Sequence, residues 1–170
     1  MKGLNDDEVL ELFSWGAFKK THPKESYMDL SMDFMNYAKG LPLALKVLGS
    51  SLFGRRINAW RTARDKLKSK LNNKILDILQ ISFDGITNMQ KELFLDIACF
   101  FKEENKGGIR DVLESFGYYL DYNIDILMEK SLITIGILGK LRMHDLLQEM
   151  GHEIVRRESP KEPGGRSRLW

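Results

Sequence analysis

Over residues 1–70 the chain repeats apolar positions three and four residues apart, the spacing of one face of an α-helix. Asn5 and Glu8 have the spacing of a capping box, so a first helix is predicted from about residue 6. A second helix should end at Gly40, a third should begin with Pro42 in its first turn, and a fourth should be capped by Asn58. Four short helices predict a small helical bundle.

From residue 71 the pattern predicts further helices and then a hairpin. Helical spacing recurs over residues 75–83, 90–101, 109–116 and 123–130, and Thr87 with Gln90 has the spacing of a capping box for the second of these helices. Two β-rich runs, 132–135 and 139–143, flank a glycine-containing turn, and helical spacing then returns. This order is typical of a winged helix. We therefore expect a mainly α fold: a four-helix bundle (1–70), a winged-helix domain with one β-hairpin (71–157), and a Pro/Gly-rich linker (158–170).

Composition favours an ordinary globular protein. The chain has 43% hydrophobic and 29% charged residues and a formal net charge of +2, so no overall field attracts nucleic acid or membrane. The single cysteine, Cys99, excludes an internal disulfide and is interpreted as a buried helix residue in a reducing compartment. No apolar run approaches the ~20 residues of a membrane span. We expect a cytoplasmic or nucleo-cytoplasmic location.

Charge also tests the DNA-binding function that a winged helix invites. Residues 107–130 carry two basic side chains against five acidic ones: Arg110 and Lys130 against Asp111, Glu114, Asp121, Asp125 and Glu129. This segment would repel a phosphate backbone, so direct DNA binding is disfavoured. The apolar wing tip, Ile137 and Leu138, better suits a protein contact. The basic stretch at 55–70 is interpreted as a solvated helix face.

Enzyme classes find little support in the sequence. The phosphate-cradling pattern G-x-x-x-x-G-K-[ST] does not occur, and no serine stands in a nucleophile-elbow sequence. His144 and His152 are eight residues apart, without a neighbouring cysteine or third ligand, so they lack metal-site spacing. His152 is expected at the surface of its helix. The chain is not expected to be an enzyme.

His144 is the candidate site residue with a local physical argument. It stands where a strand pattern, Leu141 and Met143, changes to helical spacing from Leu146. A helix N-terminus presents unpaired N–H groups and partial positive charge, which suits an anion such as phosphate. The alternative is that His144 only ends the strand while Asp145 supplies negative charge to its own helix. Local sequence alone favours this alternative.

Four stretches resemble, in order and spacing, the signature motifs of the NB-ARC module of plant intracellular disease-resistance receptors. They are residues 5–13 (NDDEVLELF), 40–49 (GLPLALKVLG), 94–101 (FLDIACFF) and 143–151 (MHDLLQEMG). The form of the third stretch resembles the subclass that begins with a Toll/interleukin-receptor (TIR) domain and ends in leucine-rich repeats. The final SRLW (167–170) is also similar to that subclass.

The resemblance implies a nucleotide switch related to apoptotic protease-activating factors. In that family ADP holds the receptor closed, and exchange for ATP opens it for oligomerisation and defence signalling. By motif position, Pro42 with its neighbours Leu41 and Leu43 would contact the adenine side. His144 would reach the terminal phosphate of ADP. The alternative for residues 40–45 is a simple corner between two helices.

The resemblance also predicts what lies outside this chain. The family's phosphate loop and its Mg²⁺-holding acidic strand precede the matching segment, so we expect no hydrolysis and little or no ADP or ATP binding by this chain alone. Expected partners are the nucleotide-binding domain, a TIR domain with NADase activity and the leucine-rich repeats of a longer parent. The remaining alternatives are a winged-helix DNA-binding module and a nucleotide-independent interaction scaffold.

Overall fold

The computed structural model describes residues 3–69, 75–102, 106–115 and 119–158. The chain divides into two compact units, residues 1–85 and 86–170. The described residues are mainly α-helical and contain one two-stranded antiparallel hairpin. The predicted fold class, a helical bundle followed by a winged helix, is confirmed.

The described residues of the first unit form five helices and a short 3-10 turn, Glu25–Tyr27. The helices are α1 (Asp6–Phe18), α2 (Met28–Ala38), α3 (Pro42–Leu52), α4 (Ile57–Lys68) and α5 (Ile75–Asp84). The capping box before α1 is confirmed, with Glu8 N–H donating to Asn5 Oδ1 and Asn5 N–H to Glu8 Oε2, both at 2.9 Å. Pro42 stands in the first turn of α3, as predicted.

An aromatic cluster fills the core of this unit. Trp60 is 1% exposed and lies among the rings of Phe13, Phe18, Tyr27 and Phe34, with centroids 4.9–6.1 Å away. Its indole N–H donates to Leu52 O at 3.2 Å, which satisfies its one polar atom. Helices α2, α3 and α4 all bury their apolar faces in this core.

Helices α1 and α3 cross at a pair of glycines, Gly16 and Gly49. A Cβ added at Gly49 would lie 2.6 Å from Phe13 O, and one at Gly16 would lie 3.0 Å from Ser50 N. These are backbone atoms, which cannot swing aside. The close approach of the two helices therefore requires glycine at position 49.

Two details of the predicted bundle are wrong. The boundary was expected at residue 70, but α5 belongs to the first unit because Ile78 and Ile81 are buried in the same core as Trp60. The expected cap Asn58 lies inside α4, whose N-cap is Arg56 without a side-chain hydrogen bond. The Oδ1 of Asn58 instead accepts from Arg61 at 3.2 Å.

The second unit has the winged-helix order. Its elements are α6 (Asn88–Asp96), a π-helix (Ile97–Phe101), α7 (Lys106–Ser115), α8 (Leu120–Glu129), β1 (Thr134–Ile135), β2 (Leu141–Arg142) and α9 (Asp145–Glu158). The capping box predicted before α6 is confirmed. Gln90 also donates to buried Asn123 on α8 at 3.2 Å, so one side chain caps α6 and links it to α8.

The hairpin carries an exposed apolar tip. Strand β1 pairs with β2 in the register Thr134 with Arg142 and Ile135 with Leu141. Between them Ile137 and Leu138 are 87% and 80% exposed in a 3-10 turn. The predicted linker, beyond Glu158, lies outside the described residues.

Candidate functional site

The start of α3 presents an apolar corner to solvent. Leu41 is 43% exposed, Pro42 is exposed and Leu43 is half-buried. The next two residues, Ala44 and Leu45, are fully buried and anchor the helix. The three residues predicted to contact adenine therefore lie together on a fixed element with accessible apolar surface.

The turn before this corner is short. Lys39 and Gly40 both have left-handed backbone angles, with φ of 53° and 70°. Leu41 N–H donates to Ala38 O at 3.0 Å. The chain reverses between α2 and α3 within a few residues, which fixes the direction in which Pro42 enters α3.

His144 is exposed and forms the N-cap of α9. Its Nδ1 accepts a hydrogen bond from Leu146 N–H at 3.1 Å, and its carbonyl accepts from Leu147 N–H and Gln148 N–H. Met143 and Leu147, on either side, are buried and hold the turn in place. Because Nδ1 accepts, the ring proton must sit on Nε2. The imidazole thus offers a donor N–H to an acceptor oxygen from solvent, such as that of a phosphate.

Lys102, at the end of the π-helix, holds the first turn of α9. Its Nζ donates to Asp145 Oδ1 at 2.8 Å and to Gln148 Oε1 at 3.0 Å. The Lys102 side chain is 18% exposed, whereas that of Asp145 is 93% exposed. The hydrogen bond from Lys102, reinforced by its charge, lowers the pKa of Asp145. Sequence reasoning missed Lys102, because nothing local pairs it with residues 43 and 46 positions away.

The π-helix provides a carbonyl that α9 side chains bind. Ala98 O lies 3.1 Å from both Gln148 Nε2 and His152 Nε2. In a π-helix the backbone hydrogen bonds join residues five apart instead of four. This change in pairing suits a carbonyl that accepts hydrogen bonds from side chains. The helices approach closely here, since a Cβ added at Gly151 would lie 2.8 Å from Ala98 Cβ.

Two expectations about this region are wrong. His152 was expected at the surface, but it is half-buried against Ala98 O, and burial lowers its pKa although the hydrogen bond opposes that shift. Cys99 was expected to be buried, but it is only partly so. Cys99 lies in the π-helix, whose i→i+5 pairing moves its side chain off the face that a 3.6-residue period assigns to it.

The predicted site residues thus form two groups. Leu41, Pro42 and Leu43 share one corner of the first unit, and His144 lies beside Asp145 and Lys102 in the second. Within the described ranges, no helix has the length and apolarity needed to cross a membrane. The described histidine, cysteine and acidic side chains form no metal-binding cluster.

Comparison with known proteins places this arrangement among plant resistance proteins. Residues 87–159 match the family described as "Disease resistance protein Roq1-like, winged-helix domain". The chain is 46% identical over 167 residues to TMV resistance protein N of Nicotiana glutinosa, covering 98% of this chain and 14% of that protein. It is 44% identical over 170 residues to disease resistance protein RUN1 of Vitis rotundifolia, covering 100% of this chain and 13% of that protein.

A third relative extends the match to another plant. Disease resistance protein RPP2B of Arabidopsis thaliana is 41% identical over 167 residues, covering 98% of this chain and 14% of that protein. The match to each relative runs through both units. The chain nevertheless spans only 13–14% of the length of these three relatives.

Proposed function

The chain belongs to the plant disease resistance proteins with a Roq1-like winged-helix domain, and from this premise we propose that it is the regulatory part of a nucleotide-switched immune receptor. In this proposal ADP is held between this chain and a phosphate-loop domain of the longer parent. Exchange for ATP releases the winged helix, and the parent oligomerises and signals in the cytoplasm. Within the longer parent, this chain contacts and positions the nucleotide and performs no hydrolysis.

The tautomer of His144 is the observation that carries the proposal. A neutral imidazole that accepts a hydrogen bond through Nδ1 carries its proton on Nε2. Here Nδ1 is occupied by Leu146 N–H, and the exposed Nε2–H is the remaining polar group of the ring. It sits at a helix N-terminus, whose partial positive charge favours an anion. A terminal phosphate oxygen is the acceptor that the proposed function supplies.

The apolar corner at the start of α3 is the proposed contact for the adenine of ADP. Leu41 and Pro42 expose apolar surface on a turn whose direction is fixed by Ala44 and Leu45 below it. Burial of such surface against a base stabilises binding by roughly 25 cal/mol per Å². We assign Leu41, Pro42 and Leu43 to the adenine and His144 to the phosphate.

The DNA-binding alternative gains nothing from the geometry. Arg110, a basic residue of α7, donates two hydrogen bonds to Asp121 at 2.8 and 3.0 Å and lies near Glu114. Its guanidinium is therefore already paired with carboxylates. The pKa of Arg110 is raised, first by the hydrogen bond and then by the charge of Asp121.

The test is ADP retention by the longer parent that contains this chain. Loss of one charge-assisted hydrogen bond costs about 1.5–3 kcal/mol, so His144→Ala should speed ADP dissociation by roughly 10- to 150-fold. The matched control is His22→Ala, which removes another exposed imidazole, in the first unit. Unchanged ADP dissociation in His144→Ala would refute the phosphate contact.

A second measurement concerns the 170-residue chain alone. Most phosphate contacts of the proposed site belong to the phosphate-loop domain, so calorimetry should detect little or no ADP binding. Micromolar ADP affinity of the isolated chain would contradict the proposed division of the site.

A further inference from the structure

The first turn of α9 carries a charge that works against the proposed phosphate contact. Asp145 follows His144 directly, and its carboxylate is 93% exposed. A carboxylate on the residue next to His144 would repel a phosphate that approaches the imidazole. The turn therefore needs a cation that neutralises Asp145 without occupying the imidazole.

Lys102 meets that requirement. Its Nζ lies 2.8 Å from Asp145 Oδ1 and 3.0 Å from Gln148 Oε1, so it bridges the first and fourth residues of α9. Leu146, whose N–H holds His144 Nδ1, lies between these two anchors. The Lys102 side chain is only 18% exposed, which indicates a fixed side chain and not a freely moving surface lysine.

A second connection ties the same turn to the π-helix. Gln148 accepts from Lys102 with its oxygen and donates to Ala98 O with its nitrogen at 3.1 Å. Its amide orientation is therefore determined at both ends. The first turn of α9 is fixed to the end of the π-helix through Asp145, Gln148 and Lys102 together.

We propose that Lys102 is a positioning residue for His144: it holds the first turn of α9 so that Leu146 N–H occupies Nδ1, and it neutralises Asp145, the residue next to His144. The effect of Lys102 on ADP retention rests on the proposed function. Its effect on the geometry of His144 does not depend on nucleotide. Lys102 itself does not contact the ligand; it acts through Asp145, Gln148 and His144.

The geometric part is tested by nitrogen NMR of the imidazole in the 170-residue chain at mildly alkaline pH, where a histidine is neutral. A ring fixed as the Nε2–H tautomer gives two well-separated nitrogen resonances, and a ring that exchanges tautomers gives averaged ones. Wild type should show the separated pair for His144. Lys102→Met should bring the two resonances together, whereas Lys102→Arg, which keeps a donor cation, should largely preserve their separation.

The matched control is Lys140→Met, which removes an exposed lysine of the same unit with the same change of charge. It should leave the His144 resonances unchanged. Thermal unfolding of each variant verifies that the unit is folded. Well-separated wild-type resonances in folded Lys102→Met would overturn the proposal.

The functional part is measured in the longer parent. Lys102→Met should speed ADP dissociation by about 2- to 10-fold, less than His144→Ala, because the lost ion pair is largely exposed on the Asp145 side. Adding Asp145→Asn should recover part of the retention by removing the unpaired carboxylate. If Lys102→Met and His144→Ala both retain ADP normally while the His144 resonances merge, positioning by Lys102 is supported and the nucleotide function is refuted.

Discussion

Leu146 N–H donates a 3.1 Å hydrogen bond to His144 Nδ1, so one imidazole both caps α9 and turns its other nitrogen to solvent. The two roles can be separated by substitution. Asparagine is a good N-cap residue, and its Oδ1 can replace Nδ1 as the acceptor, whereas alanine offers no acceptor.

We therefore predict different effects of His144→Ala and His144→Asn on stability. His144→Ala should lower the free energy of unfolding by about 1 kcal/mol, and His144→Asn should change it little. Both should lose the phosphate contact, because the shorter amide does not place a donor at the position of Nε2. Urea unfolding followed by circular dichroism measures the first effect. Equal loss of stability in both variants would show that Nδ1 does not cap α9.

The crossing of α1 and α3 gives a prediction for the first unit. Gly49→Ala would place Cβ 2.6 Å from Phe13 O, so the helices must move apart. We expect a loss of about 1–3 kcal/mol in the free energy of unfolding, measured by tryptophan fluorescence, to which Trp60, 1% exposed in this unit, contributes. The matched control is Gly85→Ala, where the nearest atom to the new Cβ is 3.6 Å away. A wild-type unfolding midpoint for Gly49→Ala would contradict the close crossing.

The contact between α9 and the π-helix gives a prediction of coupling. Gly151→Ala should destabilise the second unit, because its Cβ would lie 2.8 Å from Ala98 Cβ. Removing the opposing methyl group with Ala98→Gly should recover part of that loss. Since the two positions are in contact, a double-mutant cycle should give a coupling of about 0.5–3 kcal/mol. Additive effects would mean that the two positions do not meet.

His152 predicts a pH dependence of stability. Burial lowers its pKa in the folded protein below the ordinary 6.5. The hydrogen bond to Ala98 O opposes this shift, and the charges of Arg156 and Lys102 reinforce it to a smaller extent. The unfolded chain therefore binds a proton first as pH falls. The stabilising contribution is complete above pH 6.5 and is lost as pH falls from there through the lower, folded-state pKa.

The measurement is the unfolding free energy of wild type and His152→Gln between mildly acidic and neutral pH. Glutamine keeps an N–H donor for Ala98 O but does not titrate. The difference between the two proteins should shrink as the solution becomes acidic. A difference that stays constant across this range would show that the folded-state pKa of His152 is not lowered.

Much of the fold followed from local signals. The two capping boxes, at Asn5 with Glu8 and at Thr87 with Gln90, are properties of four consecutive residues, and both are confirmed. Pro42 is equally local, since its missing N–H and fixed φ suit the first turn of a helix. The hairpin was recognisable because its turn contains two glycines and its flanks are β-rich.

Contacts between residues distant in sequence could not be predicted from local patterns. The unit boundary was misplaced because α5 has the same periodicity whichever core it joins, and burial of Ile78 and Ile81 decides it. The π-helix was missed because the spacing of apolar residues hardly changes when one helical turn contains an extra residue. Lys102 was missed because its partners lie 43 and 46 residues away. The placement of His144 at a strand–helix junction was predicted correctly, whereas its tautomer required coordinates.

The most direct measurement compares ADP with AMP. In the proposed function, His144 Nε2–H donates to the terminal phosphate of ADP, the β-phosphate, which AMP lacks. In the longer parent, His144→Ala should weaken equilibrium binding of ADP by roughly 10- to 150-fold and leave AMP binding unchanged. An equal loss for both nucleotides, or no loss for either, would contradict the account.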